Sequence, residues 1–580
     1  MNTQLYLYEY GNAVLKGDIV ACHRIKQSYK MLLDLLETSD SDWKFDVDRA
    51  NRPIEFIEGF CKQAQGKIGT PLELMLFQKA KLQAVFGFVH KDEEFRKYTE
   101  ILDIRGRKNG KTTENSAIAN YGLVGDDEGA PEIYFIATAL DQAKKGFNEA
   151  WNMVRQSPDL RKHIRKRQSD LYFPYNMGFI KALASNSNSL DGLNGHFIVI
   201  DELAAIKNRD IYDLMKQSMS SRWQPLLTTI TTNGFVRGGI FDAQYEYACG
   251  LLDGRITNDR FLPLIYELDD RDEWNKEECW IKANPGLGVI KSVDTLRENV
   301  QKAKDDPSFR PTVMVKDFNM KENSASAWLT WNEIENKTKF DFKKMGFRYG
   351  IGCFDAADTT DLNSAKAICM RPNDPNIYLK SMYWMPEDVL NRMTQDGNRR
   401  ERDNVPYLLW ERQGHLRTYP GNKVDKRVFL DWFKELRDED DLYILWIGYD
   451  PWHIDDSLLR EFQSEFGKDS MIPIRQGPAT MSQPLKELKA DLGAKRIIHN
   501  GNPIDMWNLS NAEIKADING NIQLVKGMDN RKRIDGTVSL ACGYIVLNRD
   551  IGDKEWKEFR SRSVLGIFGR ELALRFDRQP

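Results

Sequence analysis

Cysteine is scarce in this 580-residue chain, and its seven copies are scattered without a single C-x-x-C pair. That excludes a disulfide-stapled scaffold and a zinc ribbon, and it fits a reducing compartment. Net charge is nearly absent too: at -3 overall, no global basic footprint exists, so any nucleic-acid surface has to be a local patch. No apolar run approaches the roughly 18 residues that a membrane span requires. Residues 1–6 lack a basic stretch leading into an apolar one, so no signal peptide is expected. The histidines are dispersed, with no H-E-x-x-H, and no Ser/His/Asp or Cys/His set stands out. Neither an internal repeat nor a low-complexity tract occurs. The expectation is a soluble, intracellular protein of several domains, because single cores stop growing near roughly 250–300 residues.

What is present is strong hydrophobic patterning that changes period along the chain. Residues 1–60 place Ile25, Tyr29, Leu32, Leu33 and Leu36 at helical spacing. A second helix is expected after Thr70 and Pro71, acting as N-cap and first helical residue, with Leu74, Phe77, Leu82 and Phe86 on its apolar side. From about 100 to 235, short apolar runs at 101–104, 133–137, 179–183, 197–200 and 226–231 alternate with helical stretches. Buried parallel strands read this way because helices cover both faces of their sheet. Residues 240–340 are richer in charge and Trp and predict helices, one of them capped by Ser292 or Asp294. Strands return at 349–354, 367–370, 377–379 and 442–449. The expected division is a helical leader (1–60), an α/β domain (61–240), a lid or linker (241–340) and a second α/β domain (341–580). The Arg-rich tail at 560–580 reads as a frayed helix or a docking segment.

The first candidate site is Gly106-Arg107-Lys108-Asn109-Gly110-Lys111-Thr112-Thr113, between the strand ending at Ile104 and a helix through Ala117, Ile118 and Tyr121. Its second half is a phosphate-binding P-loop: backbone N–H groups wrap phosphates, Lys111 reaches the terminal oxygens and Thr112 supplies a hydroxyl for Mg²⁺. Arg105 stands where the usual pattern has its first glycine. The apolar run 197–200 ends in Asp201-Glu202, which suits a Mg²⁺-holding acid followed by one that polarises an attacking water. Thr231-Thr232-Asn233-Gly234 closes the next strand, where a γ-phosphate can be sensed; an ordinary Asn-Gly turn is the alternative. Gln78 is a candidate for the adenine edge, or else a solvated helical Gln. Arg107 is a candidate for charge neutralisation in phosphoryl transfer, or a surface Arg in a basic loop.

The second candidate site gathers three separated acids. Asp355 and Asp450 each follow an apolar strand, and Asp535 opens an apolar helix-like segment. Buried carboxylates repel one another and are costly without cations, so converging acids point to divalent metal. Two Mg²⁺ or Mn²⁺ ions roughly 4 Å apart clamp the attacking and leaving oxygens of a phosphodiester. Asp361 is a fourth candidate ligand, and structural acids at strand ends are the alternative.

In this order of parts the chain resembles the large terminase subunit of tailed bacteriophages. The resemblance rests on the P-loop with its internal Arg107, on residues 136–143, 189–192 and 231–234, on Asp201-Glu202, on Ala283-Asn284-Pro285-Gly286-Leu287-Gly288, and on the segments around Asp355, Asp450 and Asp535. It implies a P-loop ATPase domain with a parallel sheet of the additional-strand type, a helical lid and an RNase H-like nuclease domain. It implies that Lys111, Thr112, Asp201 and Glu202 serve the ATPase, with ATP and Mg²⁺ as ligands. Asp355, Asp450 and Asp535, with Asp361, would hold two Mg²⁺ or Mn²⁺ ions in the nuclease. The implied partners are double-stranded DNA, the portal of the procapsid, the small terminase subunit and copies of the chain in a homo-oligomeric ring, a pentamer on the portal assembled from monomers. The implied location is the host cell cytoplasm. Arg155 and Arg222 are the candidates for a trans-acting arginine, and Lys526, Arg531, Lys532 and Arg533 for DNA contact. Two other readings stay open: a helicase- or repair-type ATPase with a non-catalytic C-terminal domain, and a packaging scaffold that holds nucleotide without hydrolysing it.

Overall fold

In the computed structural model, all five apolar runs between 101 and 231 are strands of one sheet. The structure describes residues 3–38, 41–185, 190, 192–206, 209–235, 239–306, 308–322, 327–357, 362–371, 374–394, 405–526 and 532–548. Across the sheet run Phe261–Ile265, Glu100–Ile104, Leu226–Thr231, Gly195–Asp201, Glu132–Ala137 and Gly178–Ala184, all parallel. Asp170–Phe173 and Arg165–Lys166 extend it antiparallel. Leu226–Thr231 is the additional strand between the P-loop strand and the strand ending in the acid pair. Its register sets Thr231 against Ile104 and Ile230 against Asp201, so loop, polar turn and acids leave the sheet at one edge. Such crevices at the carboxyl ends of parallel strands are where α/β sheets bind ligands.

The chain divides into two compact units, Met1–Glu322 and Asn323–Pro580. The expected boundaries at 240 and 340 fall within them. Phe261–Ile265 completes the first sheet as its edge strand, a position that tolerates the missing N–H of Pro263. Trp328, Leu329 and Ile334 pack into the core of the second unit. The leader is helical as expected (Tyr6–Lys16, His23–Glu37, Val47–Phe60), with a short strand Trp43–Phe45 between. The next helix starts at Leu76, not at Pro71, because a bridge between Lys62 and Pro71 ties that stretch into a loop. Its cap is made by Gln78, whose side-chain oxygen accepts from the Met75 N–H at 3.0 Å.

In the second unit a mixed sheet runs Leu416–Tyr419, Ile377–Pro386, Asn363–Met370, Tyr349–Asp355, Tyr443–Tyr449 and Met471–Pro473. The three central hairpin-related strands are antiparallel, and Tyr443–Tyr449 and Met471–Pro473 add in parallel to Tyr349–Asp355. This is the RNase H-like arrangement. Helix Asp535–Asn548 lies over one face, burying Val538, Ala541 and Cys542 against Cys353 and Ile368. Helix Arg427–Asp440 covers the other, with Phe429 stacked on Phe354 at 4.7 Å.

Candidate nucleotide and metal sites

The residue that breaks the P-loop pattern is the anchor of the loop. Arg105 is 1% exposed, and its guanidinium donates to the Asn109 carbonyl of the loop at 3.4 Å. It also donates to both Asp103 oxygens (Nε–Oδ1 2.8 Å, Nη2–Oδ2 2.6 Å) and pairs with Glu114 at 2.8 Å. Lys81 pairs with the same two acids, at 2.5 Å and 2.9 Å, and Gln78 donates to Glu114 at 3.0 Å. Two cations and two anions thus close a buried, net-neutral block beneath the loop. The cations hold the Asp103 and Glu114 carboxyls below their usual range despite burial. Gln78, proposed for the adenine edge, is buried and committed to this block and to its helix cap.

Gly110 takes the left-handed conformation (φ 75) and starts helix Lys111–Val124. Lys111 folds back over the loop, donating to the Arg105 and Gly106 carbonyl oxygens at 2.6 Å and 3.1 Å. Burial and the charge of Arg105 push its pKa down to about 7. Thr112 is half-buried in the first turn, and the Thr113 hydroxyl instead meets Glu149 at 3.3 Å. Arg107 and Lys108 are exposed; Arg107 is fixed through its N–H to the Lys316 carbonyl at 2.7 Å.

Opposite the loop, burial and the neighbouring Glu202 push Asp201 up to about 6, while Lys111 pulls the other way. Gln142 donates to Asp201 at 3.3 Å; the 136–143 segment marks its region in the sequence, but a Gln in the first turn of an amphipathic helix carries no signal of its own for this contact. Glu202 is exposed and sits at φ 57, ψ 47. A non-glycine residue there costs roughly 1–3 kcal/mol and is typically held by its surroundings at functional sites. Here the hold is the Glu202 N–H donating to the Ile230 carbonyl at 2.9 Å.

The segment Ala283-Asn284-Pro285-Gly286 clasps the loop. Asn109 donates to Asn284 Oδ1 at 2.8 Å and accepts from the Gly286 N–H at 3.0 Å. Gly106 donates to the Ala283 carbonyl at 2.9 Å, and a Cβ at Gly106 would overlap Asn284 Oδ1 and the Asp317 carbonyl oxygen, so glycine is required by close approach. Lys291 ties Asn284 and Asp317 at 2.8 Å and 2.7 Å. Lys316 reaches the polar turn, donating to Thr232 Oγ1 at 3.2 Å and the Asn233 carbonyl at 3.1 Å. Loop, lid and turn therefore share one hydrogen-bonded frame.

In the second unit Asp355 ends its strand, Asp450 follows the neighbouring parallel strand and Asp535 begins the covering helix. Asp355 is driven well above the carboxylate range by burial first, then by the charges of Asp535 and Asp450. Gln476 donates to it at 3.4 Å, and Lys526 partly offsets the repulsion. Asp450 accepts from the Trp452 N–H at 3.0 Å. Mutually repelling, buried acids are the charge pattern that divalent cations relieve, so this donor set fits metal. Among the described residues no three such side chains already stand gathered around one point. Asp361 and Arg531 lie outside the described residues. Arg533 is buried and Lys532 pairs with Glu513 at 2.6 Å, so neither stands open as a DNA contact. Arg222 is spent on Glu128 and the carbonyls of Asn194, Gly129 and Ala130, whereas Arg155 is exposed.

Residues 76–250 match the family model described as terminase large subunit, ATPase domain, and residues 255–546 the model described as terminase large subunit, endonuclease domain. The chain is 27% identical over 524 residues to the large terminase subunit of Enterobacteria phage HK97, covering 88% of this chain and 97% of that one. It is 28% identical over 370 residues to protein YmfN of Escherichia coli (strain K12), covering 62% and 79%. It is also 23% identical over 516 residues to the large terminase subunit of Lactococcus phage p2, covering 86% and 91%. The crystal structure of the HK97 large terminase aligns with a TM-score of 0.46 and 24% identity, over 86% of this chain and 99% of that one.

Proposed function

We infer the work of each site from one premise: the chain belongs to the terminase large-subunit family. It is an ATPase and an endonuclease of viral genome packaging, and it depends on nucleotide and divalent metal. On that premise residues 106–113 cradle ATP through loop N–H groups. Lys111 leaves the Arg105 and Gly106 carbonyls for the terminal phosphates. Thr112 and Asp201 would hold the Mg²⁺, which would supply charge neutralisation at the phosphates. Glu202 orients and polarises the attacking water. Arg107 faces the triphosphate from the exposed side of the loop. The observation that carries this half is the shared edge: Lys111, Asp201-Glu202 and the 231–234 turn leave adjacent strands at one level.

Hydrolysis changes what the loop holds, and the Asn109–Asn284 and Lys316–Thr232 bonds pass that change to the part of the expected 241–340 lid that belongs to the first unit. That segment would move DNA inward by its phosphate backbone, the grip suited to sequence-independent transport. In the second unit Asp355, Asp450 and Asp535, with Asp361, would hold two Mg²⁺ or Mn²⁺ ions that activate water and stabilise the leaving oxygen. The cut is made in concatemeric double-stranded DNA, with the small terminase subunit choosing the place. The working assembly is a ring of this chain, a pentamer, on the portal of the procapsid in the host cytoplasm. Among the described residues no helix is long and apolar enough to cross a membrane. The endonuclease-domain match tells against a helicase-type ATPase with a purely structural C-terminal half.

With purified procapsids, DNA is expected to become DNase-resistant only when chain and ATP are both supplied; protection without ATP would defeat the motor. Arg107→Ala is expected to lower ATP turnover about a hundredfold, roughly 2.7 kcal/mol of transition-state stabilisation, with nucleotide binding largely retained. Normal turnover would make Arg107 a bystander. A pH dependence follows from Lys111. Its pKa in the free chain lies near 7, far below the ordinary lysine value, so above that pH the free side chain is mostly neutral. Phosphate stabilises the ammonium, so ATP binding takes up a proton, and affinity falls as pH rises from 7 to 9. Calorimetry in buffers of different ionisation enthalpy measures that uptake directly; no uptake at pH 8 would contradict it.

A further inference from the structure

Behind the acids of the second unit lies a cluster that the cutting chemistry leaves unused. The Lys366 and Asp505 side chains, 1% and 4% exposed, form an ion pair. Lys366 also donates to the Tyr383 hydroxyl at 2.9 Å and to Ser381 Oγ at 3.2 Å. Asp505 accepts from Tyr383 at 2.5 Å and from Ser381 at 2.7 Å. The pair is net neutral, so it places no competing cation behind the acids. A buried pair of this kind is weak evidence for stability, since an apolar core of the same shape serves as well. Its placement is more informative.

The Tyr383 hydroxyl is pressed against Gly536, the residue after Asp535, where any Cβ would overlap it. The Gly536 N–H donates to Asn508 at 2.9 Å, on the same helix (Pro503–Asn511) that carries Asp505. Ser539, one turn further, meets Ser364 at 2.9 Å, and Ser364 stands directly opposite Asp355 in the strand register. One frame therefore supports the backbone of Asp535 and the strand of Asp355.

We propose that Lys366, Asp505 and Tyr383 are positioning residues that fix Asp535 relative to Asp355, so that divalent cations meet a pre-set pair of acids. The inference rests on the reading of Asp535 as a metal ligand. Outer-shell partners of this kind typically change metal affinity about 10–100-fold.

The test measures Mn²⁺ binding to the full chain without nucleotide, by the electron paramagnetic resonance signal of free Mn²⁺, alongside the melting temperature. Lys366→Met risks unfolding, so Tyr383→Phe, which removes one hydroxyl, carries the test. The expected result is Mn²⁺ affinity weakened about tenfold, a melting temperature within a few degrees of wild type and unchanged ATP turnover. Wild-type Mn²⁺ affinity, with or without a lowered melting temperature, would make the cluster merely structural and overturn the proposal. Asp535→Asn separates the two levels. If it abolishes Mn²⁺ binding while Tyr383→Phe does not, the positioning role alone fails; if it leaves Mn²⁺ binding intact, the ligand reading fails and takes the positioning role with it.

Discussion

Changing Asp355 to Asn is expected to suppress DNA cleavage about a thousandfold, roughly 4 kcal/mol of transition-state stabilisation, while ATP turnover stays within about twofold of wild type. The asymmetry follows from the fold. Asp355 belongs to the sheet of the second unit, and every residue proposed for ATP chemistry lies in the first. The substitution keeps volume and hydrogen-bonding shape but removes the carboxylate that would hold the metal ions. Asp355 is already held well above the carboxylate range by burial and by Asp535 and Asp450. Asn at this position therefore relieves the empty protein while disabling the metal-bound one. A higher melting temperature without metal is the expected companion near neutral pH, because folding the wild-type chain must either bury a repelled carboxylate or protonate it, and Asn does neither. Nicking of supercoiled plasmid in Mn²⁺ and a coupled ATPase assay read both sides. Cleavage at the wild-type rate would return the three acids to a structural role.

Glu202→Gln carries the second large effect: ATP hydrolysis down about a thousandfold, with ATP affinity within about threefold. The backbone at Glu202 is left-handed and held by the Ile230 carbonyl, so the side chain is aimed by the strand end and not by its own rotamer preference. Gln adopts the same placement and cannot accept a proton. Binding and turnover should separate cleanly, which a destabilising change would not allow. Should the wild-type chain, with DNA and portal present, turn over ATP no faster than the variant, the chain would be a nucleotide-holding scaffold and not a motor.

The central strands of the first unit could be read from sequence because helix-covered parallel strands leave apolar runs, as at 197–200 and 226–231. Phe261–Ile265 could not, since Pro263 interrupts it and only an edge position excuses that residue. In the second unit the strands at 349–354, 367–370, 377–379 and 442–449 were legible because helices cover both faces of that sheet too, whereas the short strands Leu416–Tyr419 and Met471–Pro473 were not. The P-loop and the acid pair were legible as local motifs. Their supports were not. Lys81 and Glu114 look like the solvated face of ordinary helices, and only packing against Asp103 and Arg105 turns them into a buried block. Asn284 and Lys291 sit some 175 residues from the loop they clasp, as the Asn109–Asn284 separation shows, and no local pattern announces such a pairing. Arg533 misled in the opposite direction: a basic cluster suggested a DNA-facing surface, yet its side chain is buried.

The block under the P-loop has a mechanical consequence. A motor that pushes against DNA transmits the reaction force to whatever holds its nucleotide loop, and here that seat is riveted by four charges enclosed away from solvent. Salt screens exposed charges within about 10 Å at 0.1 M and buried ones much less. Raising ionic strength should therefore make the machine slip on its track long before it loosens the bearing on which it turns.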